Sequence, residues 1–171
     1  VMFKAPLEDA HIVRTVLQIF AARAASELGR QKDEARIRQL AFCDADTQLP
    51  NRADFIQHLE ERVIRKTDSR FALLLLDLNH FKEINDTAGH DIGDLVLKEV
   101  AQRFRQALPA GEYLARLGGD EFVVVCDNVN DKGRALITAE RLCNSLETPV
   151  VIEQHSCELS VSAGISLYPV H

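Results

Sequence analysis

Residues 114–125 read LARLGGDEFVVV, two short apolar runs joined at Gly118-Gly119 with Asp120 and Glu121 at the mouth of the turn. A Gly-Gly pair takes the positive φ angles that a tight hairpin needs, and the Leu, Val and Phe on either side suit strands with a buried face. Two acids on a rigid turn can bind a divalent metal. A solvated hairpin tip carries acids just as commonly, so this segment alone leaves both readings open.

A second acid lies upstream. Residues 71–77, FALLLLD, form a nearly continuous apolar run of the kind expected of a central strand covered on both faces, and Asp77 ends it where the sheet opens to solvent. The following stretch, residues 79–104, is NHFKEINDTAGHDIGDLVLKEVAQRF. In it Lys82, Asn85, His90 and Asp94 fall within a short helix and a Gly-containing loop ahead of a new amphipathic helix. Taken singly, Asp94 reads as a helix cap and His90 as an ordinary loop histidine. Taken together with the two acidic segments, they point to a site.

The combination resembles the GGDEF domain, the catalytic domain of diguanylate cyclases. The resemblance rests on three separated motifs in the family's order and spacing. They are Gly118-Gly119-Asp120-Glu121-Phe122 with Arg116 ahead of it; Asp77 to Asp94 with Phe81-Lys82, Ile84-Asn85-Asp86, Gly89-His90 and Gly93-Asp94; and Asp44 to Arg52 with Thr47 and Leu49-Pro50-Asn51-Arg52. It spans residues 41–170.

The resemblance implies an α/β (α+β) fold with a palm-like, mainly antiparallel central sheet flanked by helices, related to adenylyl cyclase catalytic domains. It implies condensation of two GTP into cyclic di-GMP and pyrophosphate by a homodimer, each domain holding one nucleotide. In-line displacement of this kind is served by two divalent ions about 3.5–4 Å apart. Asp77 and Asp120 match the family's metal-binding acids, with the carbonyl of Leu78 and the side chain of Glu121 beside them. Asp120 also matches the position that helps to deprotonate the hydroxyl. A sparse oxygen donor set suits Mg2+, with Mn2+ as its substitute, better than Ca2+ or Zn2+. Gly118 and Gly119 leave room for the nucleotide against the hairpin, and Lys82 with the peptide N–H groups around Phe81 matches the phosphate-holding positions. Guanine offers N1–H and N2 amino donors, so an amide or carboxylate oxygen distinguishes it from adenine. Asn85 and Asp94 match the guanine-reading pair, and His90 matches a further substrate contact.

Departures from the family pattern are Asp46 in place of the usual Leu, Gln48 in place of the usual Gly, and Asn79 in place of Asp. The family's product-inhibition motif would fall at Pro109 and Glu112, neither of which fits it. Family members also continue past the closing SAGISLYPVH into a helix with basic residues. The alternative function is a non-catalytic GGDEF domain that binds GTP and regulates a partner, such as a following EAL phosphodiesterase domain.

The 171 residues, 46% hydrophobic and 27% charged, suffice for one packed domain plus an appendage. A net charge of −6 without a basic cluster argues against a nucleic-acid polymer or an anionic membrane as partner. Cys43, Cys126, Cys143 and Cys157 have neither ligand spacing nor CxxC pairing, which fits reduced thiols in a cytoplasmic domain. Neither a bilayer-spanning run nor a signal peptide is expected.

The chain divides near residue 43. Residues 8–42 read as one long helix with a small-residue seam through Leu17, Ala21, Ala24, Leu28, Ala35 and Phe42, interrupted by Gln31 and Arg38. This is either a weak coiled coil or a helix packed on its own domain. The segment FAARAASELGRQ resembles the end of a GAF sensory domain entering a signalling helix. The expected organisation is therefore a signalling or linker helix over 1–43, the end of a GAF-type sensor by resemblance, and a C-terminally incomplete GGDEF domain over 44–171. Within the latter, the expected order is a turn at 44–51, helix 52–66, strand 71–77, helices 80–86 and 93–107, hairpin 113–127, helix 132–146, and strands 149–153 and 157–167.

Overall fold

A computed structural model describes residues 8–64, 70–127, 129 and 132–169, with the side chains of 8–13 and 16 left aside. The chain forms two compact units, Val1–Ala41 and Phe42–His171. Among its described residues the first holds one helix, α1 (Glu8–Phe42), whose last residue belongs to the second unit. A lone helix has no interior, and Leu17, Phe20, Leu28 and Leu40 stand exposed along it. Arg30 bridges Glu27 and Glu34 one turn to either side.

In the second unit, α2 (Arg52–Ile64), β1 (Phe71–Asn79), α3 (Phe81–Ala88), α4 (His90–Ala107), β2 (Tyr113–Gly118), β3 (Glu121–Asp127) and α5 (Lys132–Asn144) follow in order. Two short strands, β4 (Val150–Ile152) and β5 (His155–Cys157), and a long one, β6 (Ser160–Tyr168), close it. The main sheet has the order β2-β3-β1-β6, and all its pairings are antiparallel. The mixed α/β architecture and the long N-terminal helix agree with the sequence. The expected end of α2 at residues 65–66 lies outside the described residues.

One face of the sheet carries the core. Ala72, Leu74, Leu76 and Leu78 of β1 are buried at every second position, beside Phe122, Val124 and Cys126 of β3. On α4, Val96, Leu97, Val100, Ala101 and Phe104 recur at helical spacing and pack onto this face, with Ala135, Ala139 and Leu142 of α5 completing the layer. Phe104 meets Phe122 edge to face at 5.4 Å, an arrangement worth about 0.5–1.5 kcal/mol beyond its buried area. On the opposite face, α2 covers β2. There the His58 and Tyr113 rings stack at 3.9 Å, and the Tyr113 hydroxyl donates to Asp54 at 2.7 Å. Arg62 at the end of α2 pairs with Asp127 at the end of β3.

Several elements differ from the sequence reading for identifiable reasons. β1 is central in the hydrogen-bonded sense but is not covered on both faces, because Leu75 is 45% exposed and Leu73 only half-buried. It also runs two residues past Asp77, since β6 pairs with it as far as Asn79. The loop between the two middle helices shrinks to Gly89, so His90 is the first residue of α4 rather than a loop residue, and Asp94 lies inside the helix rather than capping it. Instead of two closing strands there are three. Val150–Ile152 turns back onto His155–Cys157 as a separate hairpin, leaving β6 to join the main sheet. All four cysteines are free, and burial pushes the Cys126 thiol up to about 11.

Candidate functional site

The site lies where β1 and the β2–β3 hairpin end together. The hairpin turn is Gly119-Asp120, with Gly118 still in β2 and Glu121 opening β3. Gly118 has φ 137° and Gly119 φ 56°, angles that side-chain-bearing residues seldom adopt. The register sets Asp77 directly opposite Glu121 on the neighbouring strand. Opposed residues on one face of an antiparallel pair bring their Cβ atoms to within about 4.5–5.5 Å. Main-chain pairing continues into the turn, where the Leu78 N–H donates to the Asp120 carbonyl at 3.2 Å. The hairpin thus delivers Asp120 to the end of β1.

A cleft of about 380 Å3 opens there, lined by Asp77, Leu78, Asn79, His80, Phe81, Lys82, Glu83 and Asp120. Of the residues singled out from sequence, Asp77, Leu78, Phe81, Lys82 and Asp120 therefore share one cavity. The first residues of α3, Phe81, Lys82 and Glu83, line this region, and no side chain caps the helix there. Uncapped N–H groups together with the helix dipole make such a terminus suited to phosphate.

Asn85, His90 and Asp94 do not line the cleft; they lie farther along α3 and on α4. Two of them are nevertheless brought to one crossing. The side-chain oxygen of Asn85 sits so close to Gly93 that a Cβ added there would lie 1.9 Å from it. Only glycine permits this approach, and Asp94 is the next residue. His90 is exposed at the start of α4.

The sequence reading missed His80 and Glu83. His80 adopts φ 64°, which turns the chain sharply from β1 into α3, and its Nδ1 lies 2.9 Å from Glu83 Oε1. Histidine is one of the side chains that tolerates this region, but nothing in the neighbouring residue types signals it. Glu112, at the expected inhibition-motif position, faces inward with its side chain 3% exposed. It accepts from the Asp127 N–H and pairs with Arg134.

The donors at the end of the sheet are oxygens: the carboxylates of Asp77, Asp120 and Glu121 beside main-chain carbonyls. Among the described residues no three His, Cys, Asp or Glu side chains converge to cage an ion. Such a sparse set fits Mg2+, which is commonly held by one or two carboxylates and completed by substrate phosphates.

Among the described residues, no helix is long and apolar enough to cross a membrane. The chain is 43% identical over 133 residues to the bifunctional diguanylate cyclase/cyclic di-GMP phosphodiesterase MucR of Pseudomonas aeruginosa, covering 77% of this chain and 19% of MucR. It is 38% identical over 167 residues to the diguanylate cyclase TpbB of Pseudomonas aeruginosa, covering 96% of this chain and 37% of TpbB. The chain thus spans well under half the length of either relative. The crystal structure of the coiled coil and GGDEF domain of DgcB from Caulobacter crescentus, in complex with c-di-GMP, superimposes with a TM-score of 0.74 at 25% identity, covering 88% of this chain and 82% of that one. Residues 41–171 match the family described as "Diguanylate cyclase, GGDEF domain". With its hairpin, its opposed acids and its antiparallel palm in place, the chain belongs to the GGDEF family.

Proposed function

We propose that the domain is an active diguanylate cyclase, joining two GTP into one cyclic di-GMP with release of two pyrophosphates. The observation that carries this reading is the meeting of Asp77, Asp120 and the uncapped start of α3 in one cleft, with Glu121 in register with Asp77.

Asp77 and Asp120, with the Leu78 carbonyl and Glu121, would hold Mg2+ or Mn2+. When bound, the metal supplies charge neutralisation at the α-phosphate and a more acidic ribose 3′-hydroxyl. Asp120 accepts the proton of that hydroxyl as attack begins. The amides of Phe81 and Lys82 and the Lys82 ammonium hold the β- and γ-phosphates and orient pyrophosphate as the leaving group. Gly118 and Gly119 carry no side chain that would obstruct the nucleotide. Asn85 and Asp94 accept from the guanine edge, with His90 as a further contact from the start of α4.

One domain holds one nucleotide, so the reaction needs two domains facing each other. The apolar residues exposed on α1, Leu17 and Leu28 among them, support its pairing with a second copy. An upstream sensor and a downstream phosphodiesterase domain fit the fraction of the relatives that this chain spans, and MucR is named for a cyclic di-GMP phosphodiesterase activity beside the cyclase.

The test is to incubate the full-length protein with GTP and Mg2+ and to separate the products. Cyclic di-GMP with pyrophosphate in a one-to-two ratio is expected. Tight GTP binding with no product would instead support the regulatory alternative.

A further inference from the structure

Arg116 is one of the few charged side chains buried in the domain, at 7% exposure, and it does not line the cleft. Its Nε and one terminal nitrogen both donate to the Gly119 carbonyl, at 3.1 and 2.9 Å. Its other terminal nitrogen donates to Asp44 Oδ1 at 2.9 Å and to Asp46 Oδ2 at 3.4 Å. The backbone N–H of Arg116 donates to the Pro50 carbonyl at 2.9 Å, stitching β2 to the same turn.

Asp44 is itself held. Its Oδ1 accepts from the Thr47 N–H at 2.9 Å and the Thr47 hydroxyl at 2.7 Å. Burial pushes the Asp44 carboxyl up, but the Thr47 hydrogen bonds and the Arg116 guanidinium outweigh it and leave the carboxyl below its usual range. Arg116 therefore faces a charged, fixed partner.

The other end of the guanidinium is the informative one. Gly119 is exposed, and a Cβ there would meet nothing within 4 Å, so packing does not fix this turn. The Gly119 carbonyl shares a planar peptide with the Asp120 N–H, so fixing one fixes the other. On its far side, the Asp120 carbonyl accepts from Leu78. The backbone on both sides of Asp120 is thus anchored, on one side to β1 and on the other to Arg116.

We propose that Arg116, aimed by Asp44 and Asp46, is a positioning residue that sets the direction of the Asp120 carboxylate, so that turnover depends on it more than nucleotide affinity does. This rests on reading the domain as a diguanylate cyclase. Lysine cannot substitute, because an ammonium is a point charge and lacks the planar fork that reaches a carbonyl and a carboxylate at once. Asp46, 39% exposed and farther away, adds less than Asp44.

The experiment compares Arg116→Lys, Asp44→Asn and Asp46→Asn in the full-length protein by GTP kinetics with Mg2+ and by amide hydrogen exchange. For Arg116→Lys, kcat should fall about 10- to 100-fold while KM stays within about twofold. Exchange should quicken at residues 118–121 while α4 keeps its protection. Asp44→Asn should show the same pattern more weakly, and Asp46→Asn more weakly still. Unchanged exchange at 118–121, a rise in KM at constant kcat, or an equal loss of protection in α4 would overturn the proposal. Should Arg116→Lys fail to fold, Asp44→Asn decides on the same readouts. A wild type that yields no cyclic di-GMP defeats the enzyme reading and with it the claim about turnover, while the exchange pattern still decides whether Arg116 fixes the turn. Equal turnover by wild type and Arg116→Lys defeats the positioning claim alone.

Discussion

The β2–β3 hairpin and helix α1 both carry rows of apolar side chains, yet only the hairpin buries them within the domain it belongs to. Phe122, Val123, Val124 and Val125 are at most 1% exposed, whereas Leu17 is 63% and Leu28 58% exposed. Burying a Val or Phe fully is worth about 1.5–3 kcal/mol, so the hairpin is fixed by its own core. A row left in water gains nothing until another surface covers it. The domain's own residues thus fix the hairpin tip, and in the proposed dimer the helix would decide what that tip meets.

The largest effect expected on the hairpin side comes from Asp120→Asn or Asp77→Asn. Each removes a charge from the donor set and should cost roughly 4 kcal/mol of transition-state stabilisation, about a thousandfold in rate. The fold should persist, because Asp77 is exposed and Asp120 only partly buried. Pyrophosphate release by the purified variants, beside their circular dichroism, checks this; full turnover by either would remove the acids from the mechanism.

On the helix side, replacing Leu17, Ala21, Ala24 and Leu28 with Glu should separate paired copies while leaving each domain's site intact. Turnover at low protein concentration should drop about 10- to 100-fold through lost effective concentration, and GTP affinity should not change. Sedimentation together with steady-state rates measures both. A rate that survives loss of the dimer would erase the distinction between the two regions.

A smaller effect concerns the turn that Arg116 grips. Gln48 adopts φ 57°, a left-handed conformation that suits glycine better, although its side chain donates to the Ala45 carbonyl at 2.7 Å. Gln48→Gly relieves the backbone and loses that bond, so a gain of at most about 1 kcal/mol in unfolding free energy, measured by urea denaturation, is expected. A loss of stability would mean that the side-chain bond outweighs the strain.

The smallest is a pH effect at α2. Burial, and then the Arg62 guanidinium, hold the His58 pKa below the ordinary 6.5, with Asp54 and Glu61 pulling the other way. His58 Nε2 also accepts from Arg62 Nε at 2.8 Å, which requires the neutral ring. Below pH 6.5 the unfolded chain binds a proton that the folded one resists. Stability should therefore be full above that pH and be lost progressively as pH falls toward the lower folded value. Urea midpoints at about pH 7.5 and about pH 5.5 should differ in wild type and converge in His58→Gln.

The fold was legible where a pattern is local. The apolar run ending in Asp77 and the paired glycines located β1 and the hairpin, and their register follows from the turn. What escaped depends on contacts distant in sequence or on backbone angles. Leu75 reads as core but is exposed, because α2 covers β2 and not this part of β1. β5 is three residues long, too short for an alternating pattern to show. His80 entered the cleft through a left-handed φ, and Arg116 found Asp44 seventy-two positions back. Neither is written in neighbouring residue types.

The division of labour between hairpin and helix is tested most directly by exchanging residues 8–42 of the full-length protein for a strong parallel coiled coil and following cyclic di-GMP formation per domain as protein is diluted. With the exchange, the rate per domain should equal or exceed that of the natural protein and stay flat on dilution, whereas the variant with Glu at Leu17, Ala21, Ala24 and Leu28 should slow as it is diluted. If that variant is as fast as the coiled-coil fusion and equally flat, the reaction does not need two domains aligned by this helix, and the account is wrong.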